Sequence, residues 1–263
     1  MRIPLFHVDA FTDRPFHGNS AAVCLLDSWL DDAQLRKVAA ENNLSATAFV
    51  VPAKNLYELR WFTPSCEVRL CGHATMAAAF VLLTQYHPRP DSILFQTGFH
   101  DLVTVSRQGS SFCMDLPAMQ PQKCAAPVGI TQALELQTPP AEVVHANQVY
   151  ALVVNSAEAV RSVGPNFALL EKFHPNAIAV TAPGTNCDFV SRYFAPGYGV
   201  PEDPVTGSLH CVLTPYWAKR LSRTQLHARQ LSEREGELGC ELNGDRVLVK
   251  GNAVLMMEAV LEI

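Results

Sequence analysis

Apolar and polar positions in the first half of the chain alternate in short runs, the pattern of β-strands. Two stretches have helical spacing instead: residues 31–42, with Leu35, Val38 and Ala39 three or four positions apart, and residues 72–85. Because residues 72–85 carry Ala and Met on several faces, we expect that helix to be buried on all sides. The predicted strands cover residues 3–10, 21–26, 46–51, 56–62, 92–97, 101–106 and 111–116.

The second half of the chain repeats this plan. A long helix is predicted over residues 208–219, where Pro215 removes a backbone hydrogen bond and predicts a kink. Strands are predicted over residues 151–155, 177–181, 188–194, 226–232, 238–242, 246–250 and 253–262, and short helices over 156–163 and 166–172. The pattern predicts an α+β fold of two pseudo-symmetric domains, in each of which a barrel-like, mainly antiparallel sheet wraps around a central helix.

The domain boundary is predicted from composition. Residues 117–128 contain three prolines and few strand formers, so this stretch is the predicted linker. We expect a first domain over residues 1–117, completed by the C-terminal strand 253–263, and a second domain over residues 118–252.

Two Gly-centred turn-to-helix segments, residues 69–75 and 202–208, lie about half a chain apart. Each follows a Phe-x-Pro triplet, and the triplets begin at Phe62 and Phe194, 132 positions apart in a chain of 263 residues. A helix N-terminus presents unpaired N–H groups and the positive end of the helix dipole. Two of them together would form a site for a carboxylate or an enolate, which we expect in the crevice between the domains.

Composition excludes several classes of function. The net charge is −5 and no run of Lys or Arg is present, so neither nucleic acid nor a membrane is an expected partner. The longest apolar run is too short to span a bilayer, and no signal peptide is recognised, so we expect a cytoplasmic protein. The eight cysteines form no Cys-x-x-Cys pair, which favours reduced thiols and disfavours structural zinc.

The candidate reactive groups lie at the two helix starts. Cys71, Gly72 and His73 offer a thiol, a backbone donor and an imidazole, and a thiol at a helix start tends towards a lowered pKa. The alternative is a buried structural Cys beside a capping His. Asp203 could act in the same way, or could simply cap its helix. Asn19 is expected to hold a turn or a cleft wall.

Other charged residues near these segments are expected to be structural. Neighbouring residues on an extended segment point to opposite sides, so only one of Glu202 and Asp203 should face the site. Asp188 and Arg192 are expected to form an ion pair. Arg69 could pair with a substrate carboxylate, or could be an exposed surface Arg.

The motifs resemble those of the PhzF-type phenazine biosynthesis protein family, which belongs to the diaminopimelate epimerase and proline racemase fold group. The resemblance runs almost end to end. It is carried by residues 8–12, Gly18-Asn19, 21–26, 43–45, 47–50, 60–64, 70–75, 188–192 and 202–208 together with His210.

The resemblance implies a two-domain fold, commonly a homodimer, with a metal- and cofactor-free site between the domains. It implies an isomerase that moves a proton at carbon on a small carboxylate-bearing metabolite. Carried over, the site residues are Ser45, Gly72, His73, Asp203, Gly207 and Ser208. His73 and Asp203 would bind polar groups of the substrate, and the amides of Gly72, Gly207 and Ser208 would stabilise charge.

One position departs from the family motif. The family has a catalytic Glu between the Ser and the Thr, and here that residue is Ala46, which cannot carry a proton. Loss of such a group typically costs about 10²–10⁴-fold in rate. Three explanations stay open: a substitution made to trap a substrate, another base such as Asp203, His73 or Cys71, or a catalytically silent member that binds a metabolite or a protein partner.

The thiols add a further distinction. Cys71 occupies the place of one catalytic cysteine of the related racemases, so it is a candidate reactive thiol. Thr206 stands where the second cysteine would be, which disfavours a two-thiol racemase.

Overall fold

The computed structural model describes residues 1–86 and 91–263. The chain folds into two compact units: unit 1 comprises Met1–Asp115 and Lys250–Ile263, and unit 2 comprises Leu116–Val249. No helix in these described ranges is both long enough and apolar enough to cross a membrane.

Strands dominate both units. They are β1 (Arg2–Ala10), β2 (Asn19–Leu25), β3 (Ala46–Pro52), β4 (Tyr57–Phe62), β5 (Glu67–Val68), β6 (Ser92–Thr97), β7 (Leu102–Gln108), β8 (Ser111–Pro117), β9 (Gln122–Lys123), β10 (Glu142–Ala146), β11 (Val149–Val153), β12 (Ala177–Pro183), β13 (Phe189–Ala195), β14 (Val200–Glu202), β15 (Gln225–Gln230), β16 (Gly236–Asn243), β17 (Arg246–Gly251) and β18 (Ala253–Glu262).

The α-helices are fewer, and most are short. They are α1 (Asp32–Asn42), α2 (Gly72–Val81), α3 (Ile130–Ala133), α4 (Ala157–Arg161), α5 (Phe167–Leu170) and α6 (Gly207–Leu221). A π-helical turn, Leu82–Tyr86, continues α2, and 3₁₀ turns cover Glu171–Phe173 and Pro196–Tyr198.

In unit 1 the sheet order is β18-β1-β2-β3-β4-β6-β7-β8. All neighbours are antiparallel except the pairs β2–β3 and β4–β6. The short strand β5 pairs with the end of β4 and leads towards α2. The sheet is therefore mainly antiparallel, as the sequence predicts.

Helix α2 is the central helix of unit 1. It packs against β1, β2 and β3. All of its residues are buried except Phe80, which is half-buried. The opposite side of these strands packs on α1 through Leu35, Val38 and Ala39. Small side chains on α2 allow this close approach, and the buried helix predicted from the Ala-rich run is confirmed.

Unit 2 repeats the topology of unit 1 in the pairing of β9 to β16. Its order is β9-β10-β11-β12-β13-β15-β16, with β14 paired to β13 as β5 is paired to β4. The parallel pairs are β11–β12 and β13–β15, the counterparts of β2–β3 and β4–β6. Helix α6 follows β14 as α2 follows β5. The pseudo-symmetry predicted from the Phe-x-Pro spacing is thus present in the strand pairing.

Pro215 lies inside α6, which nevertheless runs without interruption from Gly207 to Leu221. A proline has no N–H to donate to the carbonyl four residues earlier, here that of Cys211. The Met119 N–H donates to that carbonyl instead, at 2.9 Å. The orphaned acceptor therefore has a partner within the same unit, and the predicted kink stays a prediction.

Candidate active site

The two central helices start in the same way. The residue before α2, Cys71, is extended at φ −137° and ψ 96°, and the residue before α6, Thr206, at φ −115° and ψ 98°. In each case glycine is the first helical residue: Gly72 in α2 and Gly207 in α6. Neither Cys71 nor Thr206 caps its helix with its side chain. The first amides of both helices therefore have no partner from the cap side chain.

Each helix start is braced by a side chain one turn into the helix. Thr75 Oγ1 donates to the carbonyl of Cys71 at 2.7 Å. His210 Nδ1 lies 2.8 Å from the carbonyl of Thr206 and donates to it. Burial lowers the pKa of His210 to about 4, so the ring is neutral and its proton lies on Nδ1. The two braces occupy equivalent positions but differ in chemistry.

The strands that lead into α2 are held by a half-buried ion pair. Arg60 on β4 binds Glu67 on β5 through two hydrogen bonds of 2.7 Å each. Its guanidinium also lies 5.1 Å from the ring centre of Phe62. The pKa of Arg60 is raised, chiefly by the bond to Glu67, so the pair stays charged. This pair fixes the turn that precedes Cys71.

Unit 2 contains an equivalent ion pair beside a Phe ring. Arg192 on β13 binds Glu202 on β14 at 2.7 and 2.8 Å, and lies 5.1 Å from the ring centre of Phe194. The expected pair of Asp188 with Arg192 is therefore wrong: Asp188 binds Arg223 at 2.7 Å. The guanidinium of Arg192 binds Glu202 through two hydrogen bonds because β14 places Glu202 directly opposite Phe194, on the neighbouring strand.

The α2 cluster consists of Asn19, Ser45, Cys71 and His73, which the fold of unit 1 brings together. Ser45 Oγ lies 2.6 Å from Asn19 Oδ1 and 3.1 Å from His73 Nε2. Cys71 Sγ lies beside the same ring, 3.5 Å from His73 Nδ1 and 3.9 Å from Nε2. Asn19, His73 and Cys71 are each at most 8% exposed. Four residues predicted for the site therefore form one hydrogen-bonded group.

Asn19 is positioned by the loop before β2. Gly18 has φ +65°, and a Cβ there would overlap the carbonyl oxygen of Ala10. Asp9 supports the same loop by accepting from the backbone of Phe16 at 2.9 Å and from the Ser20 hydroxyl. Asn19 thus follows directly after this loop as the first residue of β2, and its place in a cleft wall stays a prediction.

Ala46 is the first residue of β3 and directly follows Ser45. It pairs in parallel register with Ala21 of β2 and is 1% exposed. A buried methyl group thus lies next to the α2 cluster, at the position where the resemblance implies a carboxylate.

The α6 cluster consists of Asp203, Thr206 and Gln230, beside Gly207 and Ser208. Thr206 Oγ1 donates to Asp203 Oδ2 at 2.5 Å. The Gln230 amide accepts from Thr206 N at 2.9 Å and donates to the Asp203 carbonyl at 2.7 Å. Asp203 and Thr206 are 8% and 5% exposed. Ser208 is half-buried at the start of the helix.

Glu202 and Asp203 point in different directions, as the extended backbone predicts. Glu202 is occupied by Arg192, whereas Asp203 is bound to Thr206. Only Asp203 of the two therefore belongs to the α6 cluster. Arg69 is exposed and pairs with Asp101 at 3.5 Å.

Gln230 is a site residue that the sequence interpretation missed. It is completely buried at the end of β15. Leu226 and Ala228 fill the other inward positions of that strand. A polar residue in the inward register of a strand is the signal that could have identified it.

The thiols fall into two kinds. Burial raises the pKa of Cys24, Cys211 and Cys240 to about 12 each, so these thiols stay protonated and inert. Cys71 instead lies beside the imidazole of His73 at a helix start. In the described ranges no group of three or more His, Cys, Asp or Glu side chains is arranged to hold a metal ion.

The chain shares its fold with solved structures of epimerases. A hydroxyproline epimerase structure from Agrobacterium vitis, with bound trans-4-hydroxy-L-proline, superposes with a TM-score of 0.64 at 10% identity, over 99% of this chain and 92% of that one. At that identity the likeness concerns the fold alone. It confirms the diaminopimelate epimerase-like architecture expected from the sequence.

The family follows from closer relatives. The family model described as PhzC-PhzF, phenazine biosynthesis-like protein, matches residues 8–259. A Pseudomonas aeruginosa protein described as an uncharacterized isomerase is 47% identical over 263 residues, covering 100% of both chains. The crystal structure of a PhzF family protein from Enterococcus faecalis has a TM-score of 0.94 at 38% identity and 100% coverage of both. The chain therefore belongs to the PhzC-PhzF phenazine biosynthesis-like family, and the resemblance drawn from its motifs is confirmed.

Proposed function

We propose that this chain is an isomerase that moves a proton at carbon on a small carboxylate-bearing metabolite, without a cofactor. The α2 and α6 clusters would act on the same substrate molecule, in a homodimer in the cytoplasm. The observation that carries the proposal is the matched construction of the two helix starts, each of which has a buried polar cluster beside it.

The helix starts supply the electrostatics that such a reaction needs. Removal of a proton from carbon next to a carboxylate leaves an enolate, whose charge must be stabilised. Amides at Gly72, Gly207 and Ser208 are suitable donors because they lie in the first turns of α2 and α6. They are held in place by the backbone, so they cost little reorganisation when charge develops.

His73 and Asp203 supply the polar recognition. Both are almost completely buried, and each is oriented by a hydroxyl: Ser45 for His73 and Thr206 for Asp203. A hydroxyl or amine of the substrate could donate to Asp203, and the imidazole could carry a proton at a second position. An imidazole and a carboxylate are different hydrogen-bonding groups, which suits a substrate with two different polar groups.

A second function is favoured by one observation, the methyl of Ala46 at the family acid/base position. If no other group replaces the carboxylate, the chain would bind a metabolite or a protein partner without turning it over. The first function is preferred because the α2 and α6 clusters keep their other polar members.

Solvent deuterium exchange distinguishes the isomerase from the catalytically silent binding protein. The probes are carboxylates with an acidic C–H: a dihydro-hydroxyanthranilate, cyclic and acyclic α-amino acids, and β,γ-unsaturated acids. Each is incubated in D₂O with the chain, with Ala46→Glu, and with His73→Asn as a matched knockout. Deuterium at carbon is followed by mass spectrometry, and binding by calorimetry.

Exchange by the chain that is lost in His73→Asn supports the isomerase. Exchange only by Ala46→Glu would show that the family reaction needs the missing carboxylate and that this chain is disabled. Saturable binding of a probe with no exchange by either protein would favour the silent function.

A further inference from the structure

Tyr193 lies on the side of β13 that faces α6. Alternate residues of a strand point to the same side, so Tyr193 shares its side with Phe189 and Ser191. Phe189 stacks on Trp217 of α6, with 5.8 Å between the ring centres, which identifies that side. The Tyr193 ring is therefore directed to the side of the sheet on which the central helix of unit 2 packs.

The α6 cluster adjoins Tyr193 on this side. Gln230 pairs in register with Ser191, the neighbour of Tyr193 on the same face of β13. The Asp203 N–H donates to the Tyr193 carbonyl at 3.0 Å, so these two residues are adjacent. The Asp203 carboxylate accepts from Thr206 at the start of α6. The phenol of Tyr193 and the carboxylate of Asp203 are thus neighbouring groups beside that helix start.

The hydroxyl of Tyr193 is not used by the fold. In the described ranges it has no hydrogen-bond partner. It is not sealed inside the protein either, since the enclosed polar side-chain atoms of unit 2 without a partner belong to other residues, such as Ser191. The hydroxyl of Tyr216, by contrast, donates to Glu142 at 2.8 Å. The half-buried Tyr193 side chain therefore keeps a hydroxyl that a ligand can reach.

The Tyr193 phenol is a neutral donor beside an anion. Burial raises its pKa, and the charges of Asp203 and Tyr198 raise it further, so the O–H stays protonated at neutral pH. The phenol offers one proton and two lone pairs, whereas the Asp203 carboxylate only accepts. A substrate hydroxyl satisfies both groups, because it accepts from Tyr193 and donates its own proton to Asp203. A substrate carboxylate does not, since it has no proton to donate and is repelled by Asp203.

The equivalent position in unit 1 is closed. Trp61 lies opposite Ala48 as Tyr193 lies opposite Ala179, and each follows the Arg of an ion pair. Trp61 is 1% exposed, so its ring belongs to the core. The strand position alone therefore does not produce a hydroxyl that a ligand can reach, and this feature is specific to Tyr193.

We propose that Tyr193 is a specificity-determining residue of the α6 cluster, whose O–H binds a substrate hydroxyl that donates to Asp203. The inference rests on the substrate site proposed above and adds a requirement to it. The metabolite carries a hydroxyl for this cluster in addition to its carboxylate, and the carboxylate binds away from Asp203.

Removal of the phenol oxygen alone tests this recognition. The chain and Tyr193→Phe are titrated by calorimetry with paired probes: L-serine and L-alanine, and a dihydro-hydroxyanthranilate and the same ring without its hydroxyl. Tyr193→Phe should raise the Kd of the hydroxylated probe by about 10-fold and that of its partner by less than about 2-fold. Equal changes for both members of a pair, or no hydroxylated probe bound by the chain, would overturn the proposal.

Unfolding in urea tests the hydroxyl without a ligand. Tyr193→Phe should unfold at the same urea concentration as the chain, because its hydroxyl has no partner in the described ranges. Tyr216→Phe is the matched control: it loses the hydrogen bond to Glu142, so it should unfold at a lower urea concentration with every Kd kept. A lowered midpoint in Tyr193→Phe would show that the fold uses this hydroxyl, and would overturn the proposal.

Deuterium exchange separates this inference from the isomerase proposal. Where the chain or Ala46→Glu exchanges a hydroxylated probe, adding Tyr193→Phe should raise KM by about 10-fold and change kcat by less than about 3-fold. Exchange with an unchanged KM would overturn the role of Tyr193 and leave the isomerase standing. Weaker binding of hydroxylated probes alone in Tyr193→Phe, with no exchange by any variant, would support Tyr193 and remove the isomerase.

Discussion

The α2 and α6 clusters share a backbone design and differ in their chemical groups. In the α2 cluster the thiol of Cys71 lies beside the imidazole of His73, whose Nε2 is 3.1 Å from the Ser45 hydroxyl. In the α6 cluster the hydrogen bonds run from the Gln230 amide through the Thr206 hydroxyl to the carboxylate of Asp203. One helix start thus carries a thiol and an imidazole, and the other carries a carboxylate that accepts from a hydroxyl.

The residue before each helix makes this difference. The backbone angles of Cys71 and Thr206 are similar, so the fold treats the two positions alike. Thr206 N–H can only donate, which places Oε1 of Gln230 towards it and the amide nitrogen towards the hydroxyl, at 3.1 Å. The Thr206 hydroxyl must then donate to Asp203. A repeated fold can in this way give a chemically asymmetric pair of sites by changing one cap residue.

The largest expected effect is the loss of exchange rate in Asp203→Asn, compared with a substitution of the neighbouring carboxylate, Glu202. Asp203→Asn removes the charged acceptor of the α6 cluster and should lower the exchange rate by about 10²–10³-fold, with little change in stability. Glu202→Gln is the matched control. It leaves the guanidinium of Arg192 without its charged partner, and should cost about 1–3 kcal/mol in the free energy of unfolding while the rate is kept.

Rate assays and urea unfolding measure the two properties separately. Equal loss of rate in both variants would show that Asp203 acts through folding and not through the substrate.

Gln230 sharpens the comparison because its buried amide binds backbone groups of Thr206 and Asp203, whereas the buried amide of Asn19 in the α2 cluster binds the Ser45 hydroxyl. Gln230→Met removes the hydrogen bonds to the N–H of Thr206 and the carbonyl of Asp203, and should destabilise unit 2 by about 2–4 kcal/mol. The control is Gln225→Met, at an exposed position of the same strand, which should change stability by less than about 0.5 kcal/mol. Denaturant unfolding gives both values. An unchanged free energy of unfolding in Gln230→Met would contradict the stabilising role of these hydrogen bonds.

The braces of the two helices predict a difference in pH response. The pKa of His210 is lowered to about 4, whereas the unfolded chain takes up its proton near the ordinary value of 6.5. The unfolded state therefore binds more protons between these values. Stability from this group is fully present above about pH 6.5 and is lost as the pH falls towards 4, by about 3 kcal/mol.

His210→Gln should remove that loss, since it keeps a donor for the Thr206 carbonyl but does not titrate. Unfolding free energies at pH 7 and pH 4.5 test this prediction. The pKa of His7 is also lowered by burial. His7 is present in both proteins, so its contribution cancels in the difference between their unfolding free energies. Parallel pH curves for the two proteins would contradict the assignment to His210.

The smallest effect is expected at Arg69, near the start of α2. Its partner is Asp101, and the two side chains are 73% and 56% exposed, so solvent screens the pair. Arg69→Ala should change stability by no more than about 0.5 kcal/mol and leave KM unchanged. A KM that rises about tenfold would instead show that Arg69 binds a substrate carboxylate.

Much of the fold could be predicted from local pattern. Alternation and turn residues located most of the strands, and the Ala-rich run identified the buried central helix α2. Short elements such as β5, β9, β14 and α3 were not predicted. They have from two to four residues, so their sequences carry too few positions for a period to be recognised.

The members of the site could be named more readily than their partners. Cys71, His73 and Asp203 are recognisable because they stand in Gly-centred motifs. Gln230 meets Asp203 because two strands that are distant in sequence lie close together. Arg192 binds Glu202 because β14 lies alongside β13. The error at Asp188 has the same cause, since its partner Arg223 lies beyond α6.

The sequence by itself determined the α+β class, the repeat, the two helix starts and the family, because these depend on periodicity and on local motifs. It also identified Ala46 as the position that departs from the expected motif. Only the tertiary structure decided which polar groups meet. A hydrogen bond depends on distance and direction in space, and Ser45 and His73 are brought together by the start of β3 and by α2, elements separated along the chain. The different surroundings of Cys71 and Thr206 follow from those contacts.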